Sequence, residues 1–134
     1  MTKAPKKPAK RKAAATKAAK KPQPANWTVE YLSQTVVDEV NAWPAPLRAN
    51  LQRIIDRITS QGLMSLTEEH AKHIRNKIWE LRPDADGMWG RAFYVAVTGK
   101  KVMIVLCKIK KTKKTPNAWI DLAEERAATI DQGE

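Results

Sequence analysis

The chain has 134 residues, enough for one domain with one core, and a formal charge of +11. The charge is segregated: residues 1–25 contain nine Lys or Arg and no acid, while the remaining 109 residues carry 16 basic and 14 acidic side chains. Cys107 is the single cysteine, which excludes an internal disulfide and points to a reducing, cytoplasmic compartment. No apolar run reaches the roughly 20 residues of a membrane span, and the N-terminus lacks the apolar stretch of a secretion signal.

Residues 1–25 are low-complexity Lys/Ala/Pro, with Pro5, Pro8, Pro22 and Pro24 interrupting any helix. Such a segment has too little apolar surface to offset its ordering entropy and is expected to be a disordered basic arm. It suits loose, salt-sensitive binding of nucleic acid, or simple solubilisation. A folded domain is expected over residues 26–134.

Residues 27–32 (WTVEYL) alternate and predict a strand. Val36, Val37, Val40 and Trp43 follow at helical spacing, with Ser33 or Thr35 as N-cap and Pro44 as the stop. Leu47, Leu51, Ile54, Ile55 and Ile58 form the clearest amphipathic stripe, closed by Gly62. Arg48, Arg53 and Arg57 occupy its outward face and read as a solvated surface. Ser65-x-x-Glu68 has capping-box spacing and predicts a short helix from Leu66 to about Lys72. His70 and His73 would share one side of it, but zinc needs three or four ligands and no partner motif is present, so no metal is expected.

Three strands are then predicted: Ile78–Leu81, Arg91–Val97 and Val102–Ile109. Pro83–Gly87 (PDADG) forms the first turn and Thr98-Gly99 the hairpin. In the first strand, period two places Ile78, Glu80 and Arg82 on one face and Trp79 with Leu81 on the other. Thr115-Pro116 predicts a helix start, followed by a stripe of Trp119, Ile120, Ala123, Ala127 and Ile130. The expected architecture is a small α+β sandwich, an antiparallel sheet of three to four strands against two or three helices. From Gly87 to Ile120 there is no Asp or Glu, so one side of this sheet should be strongly cationic, as a phosphate-handling surface is.

The segments HIRNKIWELR, GRAFYVAV and KIKKTKKTPNAWIDLAEERAATI, in this order and spacing, resemble the phage-derived, HigB-type branch of the RelE/ParE toxin superfamily, over about residues 27–130. The resemblance implies a RelE-like fold and cleavage of messenger RNA on the ribosome, as the toxin of a type II toxin–antitoxin system. It also implies a cognate antitoxin, expected to be a helix-turn-helix protein encoded nearby. By position it assigns Glu80 and Arg82 to a strand lining the cleft, Arg91 to the phosphate-binding place on the next strand, and Lys110, Lys111 and Lys114 to the basic loop. In place of the His and aromatic residue that many relatives have before the Lys pair stand Leu106, Cys107, Lys108 and Ile109.

Metal-free RNA cleavage requires a proton acceptor for the 2′-hydroxyl, cationic support for a phosphorane and a proton for the leaving 5′-oxygen. Arg82 and Arg91 suit the phosphate, Lys111 or Lys114 the charge or the proton, and Glu80 the base. Arg75, Lys77, Lys108, Lys110 and Lys113 are the expected RNA-backbone contacts, and Trp89 the expected base-stacking residue, while Trp119 fits a core stripe. Cys107 reads as packing, not as a nucleophile. No cofactor is expected. Two other functions share these features: a ParE-like topoisomerase poison, and a non-enzymatic nucleic-acid binder dominated by the arm.

Overall fold

A computed structural model describes residues 26–130; the basic arm of residues 1–25 lies outside them. The chain runs β1 (Thr28–Tyr31), α1 (Gln34–Asn41), α2 (Ala45–Gln61), a 3-10 turn (Leu63–Ser65), β2 (Ala71–Arg75), β3 (Ile78–Leu81), β4 (Asp84–Ala85), β5 (Met88–Val97), β6 (Lys101–Lys110) and α3 (Asn117–Ala127). One mixed sheet has the order β1-β6-β5-β3-β2, with β4 pairing β5 off this path. The predicted antiparallel meander is present as β3-β5-β6, but among the described residues the sheet has six strands, not three or four. β1 joins it in parallel, pairing Thr28 with Lys101 and Tyr31 with Ile104.

Apolar periodicity explains the helices. Leu47, Leu51, Ile54, Ile55 and Ile58 of α2 are all buried, together with Val36 and Val40 of α1, against Leu81, Ala92, Tyr94, Val102, Ile104 and Cys107. The other face of the sheet holds Ile78, Phe93, Val95, Val105 and Leu106, covered by α3 through Ala123, with Trp119, Leu122, Ala127 and Ile130 at its margins. Two helices therefore cover one face and one helix covers part of the other.

The capping-box reading fails. The Ser65 hydroxyl donates back to Gly62 O at 2.7 Å, closing the 3-10 turn, and Arg57 holds Ser65 O from Nη2 at 3.1 Å. Neither group is left to start a helix. Thr67–His70 instead forms a turn, with Ala71 N donating to Thr67 O, and the chain enters β2. Hairpin pairing of β2 with β3 (Lys72 with Glu80, His73 with Trp79) across the turn at Asn76 and Lys77 outweighs the helix signal. At the other two predicted caps, Ser33 stands at the N-cap of α1 without a side-chain bond, and Pro116, not Thr115, precedes α3. The PDADG turn contains β4, reversed by Asp86 (φ 52°) and Gly87 (φ 78°), the left-handed pair of a tight hairpin.

Gly90 lets Trp43, in the bend between α1 and α2, lie close against the sheet. A Cβ there would lie 2.9 Å from two ring carbons of Trp43 and 3.1 Å from Pro83 Cγ. Trp43 is buried, so its rigid indole has nowhere to retreat. Gly90→Ala should therefore lower unfolding stability by about 1–3 kcal/mol, the usual cost of overpacking. Urea denaturation checks this; an unchanged midpoint would show that the indole yields freely.

Candidate functional site

In an antiparallel pair, partnered residues project on the same face. Lys72 pairs with Glu80, Glu80 with Phe93 and Phe93 with Leu106, giving one row across four strands. Two residues further on, Arg91 pairs with Lys108, and beyond it Trp89 pairs with Lys110. Arg82 extends the Glu80 face past the end of β3, where its backbone N–H donates to His70 O. α3 covers the end of this face built on Phe93, Val95 and Leu106. The charged rows occupy the adjoining end.

The alternation in β6 has to change phase for this to happen. Phe93 pairs with Leu106 but Tyr94 pairs with Ile104, so Val105 is an extra residue, a β-bulge. Before it, Val102 and Ile104 face α1 and α2; after it, Cys107 faces them, as does the half-buried Ile109. Lys108 and Lys110 are thereby turned towards Glu80 and Arg91.

Glu80 is 2 % exposed, Arg91 4 % and Lys110 6 %, the only buried charged or polar side chains among the described residues. Glu80 Oε2 lies 3.6 Å from Arg91 Nε and 3.7 Å from Arg82 Nε, close enough for charge attraction but too long for hydrogen bonds. Among the described residues, Glu80 Oε1 and Arg91 Nε have no hydrogen-bond partner. The rest of Arg91 is anchored, Nη1 donating to Gly90 O at 2.6 Å and to Asp84 Oδ1 at 3.3 Å. Arg82 Nη1 donates to Glu68 O at 3.2 Å, and Lys110 Nζ to Lys113 O at 2.6 Å. Burial pushes the Glu80 carboxyl above its ordinary value, against the opposing pull of Arg91, Lys110, Arg82 and Lys72. The Lys110 ammonium is pushed below its ordinary value by burial and then by Arg91, with Glu80 opposing.

Glu80, Arg82, Arg91, Lys108, Lys110 and the half-buried Trp89 thus share one face. Other expected residues lie elsewhere. Arg75 bonds Asp121 and Glu124 of α3, and Lys77 is exposed in the β2–β3 turn, at the opposite end of β3 from Arg82. Lys111, Lys113 and Lys114 are exposed in the segment after β6. His70 and His73 do not share a helix: His70 sits in the turn beside the Thr67 hydroxyl, and His73 lies in β2, edge-on to Trp79. Trp119 is half-buried beside the α3 core with Lys108 Nζ 5.9 Å above its ring. Cys107 is buried, and burial, followed by the nearby Glu39, pushes its thiol up to about 12, which fits packing and not nucleophilic chemistry. Two members of the cluster were hidden in the sequence. Lys72 fell in the stretch that reads as a helix, and Asp84 in one that reads as a plain turn. The phase change from Val102/Ile104 to Cys107/Ile109 was the available signal for Lys110.

A mixed sheet flanked by helices, with Glu80, Arg82, Arg91 and Lys110 gathered at one end of a face, defines a small α+β protein. Residues 38–128, well over half of the chain, match the family model described as Phage derived protein Gp49-like (DUF891). The chain belongs to this phage-derived family, which is part of the toxin–antitoxin-related RelE/ParE-like group. No curated protein matches it. No helix among the described residues is long and apolar enough to cross a membrane.

The raised Glu80 fixes the sign of one pH effect. The native protein holds this proton more tightly than the unfolded chain, so the associated stability is full below pH 4.5 and is lost as pH rises through the native value. Glu80→Gln removes that dependence. The difference in melting temperature, variant minus native, should grow more positive as pH rises from 4.5; a difference that stays constant would contradict the raised value.

Proposed function

We propose that this protein is the toxin of a type II toxin–antitoxin system, of the HigB type, and acts in the cytoplasm as a metal-independent, ribosome-dependent messenger-RNA endoribonuclease. The observation that carries the reading is the buried Glu80 carboxylate with Arg82, Arg91 and Lys110 around it, in which Glu80 Oε1 and Arg91 Nε stand unpartnered among the described residues. Buried polar atoms without partners are rare and call for a ligand or a catalytic role.

In this reading a ribose 2′-hydroxyl attacks the adjacent phosphorus while Glu80 accepts its proton. Its raised pKa brings the carboxylate nearer to the proton affinity that a base working close to neutral pH needs. Arg91 and Arg82 hold the non-bridging oxygens; their planar guanidinium groups stay charged and match phosphate. Arg91 is the better preorganised of the two, being fixed through Gly90 O and Asp84 while Nε remains unpartnered. Lys110 protonates the departing 5′-oxygen, a role favoured by its lowered pKa and its place on the same face. The bond to the 5′-oxygen breaks as the 2′-oxygen bond forms, leaving a 2′,3′-cyclic phosphate and a 5′-hydroxyl. In the same reading Trp89, which pairs across from Lys110, stacks a neighbouring base. Lys108 contacts the RNA backbone, and the exposed Lys111, Lys113 and Lys114 contact it or ribosomal RNA. The partners are the ribosome with its message and a neighbouring helix-turn-helix antitoxin.

The test is to induce the protein in cells and map the 5′ ends of translated messages. Cuts should appear within reading frames. Arg91→Ala and Glu80→Gln should each reduce cutting about 100-fold or more, Arg82→Ala by a smaller factor because its guanidinium is more exposed. Growth arrest with intact messages and broken DNA would overturn the nuclease reading in favour of a topoisomerase poison. Loss of all effect on deleting residues 2–25 alone would move the activity to the arm.

A further inference from the structure

β6 has a neighbour on its outer edge only as far as Ile104, where β1 ends and Leu32 N donates to Ile104 O. Beyond that point no strand among the described residues pairs with the edge, and this is where the bulge lies. Two backbone groups flanking it have side-chain partners in place of a strand. Val105 O accepts from Arg126 Nη1 at 2.9 Å, and Cys107 N–H donates to Glu39 Oε1 at 3.1 Å. Glu39 and Arg126 are also bonded to each other, Nη1 to Oε1 at 3.1 Å and Nη2 to Oε2 at 2.9 Å. Glu39 belongs to α1 and Arg126 to α3, which lie on opposite faces of the sheet. The pair therefore reaches around the open edge and closes it.

We propose that Glu39 and Arg126 are positioning residues for the cleft: together they lock the Val105 bulge and so hold Lys108 and Lys110 on the face of Glu80 and Arg91. The inference rests on reading that face as the active site. An ion pair at the surface contributes little by attraction alone. What distinguishes this one is that each partner also satisfies a backbone group, at the bulge, that the strandless edge would leave without a bond. When the bulge loosens, the alternation of residues 106–110 loses its fixed phase, and the cations drift out of the cleft.

The experiment uses the full-length protein with Glu39→Gln, Glu39→Ala, Arg126→Met and the exchanged double variant E39R/R126E. The double variant restores an ion pair. It cannot restore the backbone bonds, because arginine has no acceptor for Cys107 N–H and glutamate no donor for Val105 O. The first readout is lysine labelling with acetic anhydride, located by mass spectrometry, with exposed Lys100 as internal reference. Lys110 should be protected in the native chain and in Glu39→Gln, and labelled several-fold more in Glu39→Ala, Arg126→Met and the double variant. The second readout is single-turnover cleavage of ribosome-bound message, whose rate should fall roughly 10- to 100-fold in the same three variants with KM little changed, the signature of misplaced catalytic groups. Unchanged Lys110 protection in folded Glu39→Ala, or recovery in the double variant, would overturn the proposal. If Glu39→Ala does not fold, Arg126→Met decides it, since a thioether donates to neither Val105 O nor Glu39: increased labelling supports the proposal and native protection overturns it. Lys110 exposure that follows this pattern in a protein without cleavage would refute the nuclease reading and leave the positioning inference standing.

Discussion

Side chains along a strand alternate between faces, so a run of cations in register with a run of apolar residues must be divided correctly between core and cleft. In β6 the division depends on one additional residue. With Val105 inserted opposite the Phe93–Tyr94 step, Val102 and Ile104 can pack under the two N-terminal helices while Leu106, Lys108 and Lys110 turn to the other side. Without it, Lys108 and Lys110 would point into the layer occupied by Trp43 and Leu47, and Cys107 and Ile109 would be exposed to water. The gathering of these charges on one face is a consequence of that single register shift.

The cleft is also where the structure tolerates unfavourable terms. A buried carboxylate and a buried ammonium each lose hydration; the attraction of Glu80 for Lys110 and the two arginines offsets this only partly, and the arginines repel the ammonium, so Glu80 is displaced upward and Lys110 downward from their ordinary values. Distances of 3.6 and 3.7 Å leave the Glu80 contacts short of the bonded geometry that would make a settled structural ion pair. The surrounding rigid parts hold these groups in place: α3 packed on Phe93 and Leu106, Trp43 against Gly90, and the β4–β5 hairpin that brings Asp84 to Arg91. Poor pairing inside a well-packed frame is the observation on which the proposed active site rests.

Much of this was legible without coordinates. The stripe of α2, the alternation in β3 and β5, and the acid-free interval from Gly87 to Ile120 follow from side-chain periodicity and charge, which are local properties of the sequence. So does the placement of Glu80 and Arg82 on one face, because two residues of a strand separated by one must project together. The Ser65–Glu68 signal misled because a capping box is a local preference, whereas the Ser65 hydroxyl was taken by Gly62 O and the following residues by the edge of β3. Arg75 looked like part of the basic surface and instead closes on Asp121 and Glu124, forty-six and forty-nine positions away.

Which segments are apolar on one side, where the turns fall and which cations are available can be read locally, because these depend on neighbours within a few positions. Which cations meet is settled only by the folded arrangement. Strand order, the parallel docking of β1, the bulge at Val105 and the clasp of Glu39 with Arg126 all arise from contacts between distant parts of the chain. Their free energies depend on what else is packed nearby, and no window of residues carries that information.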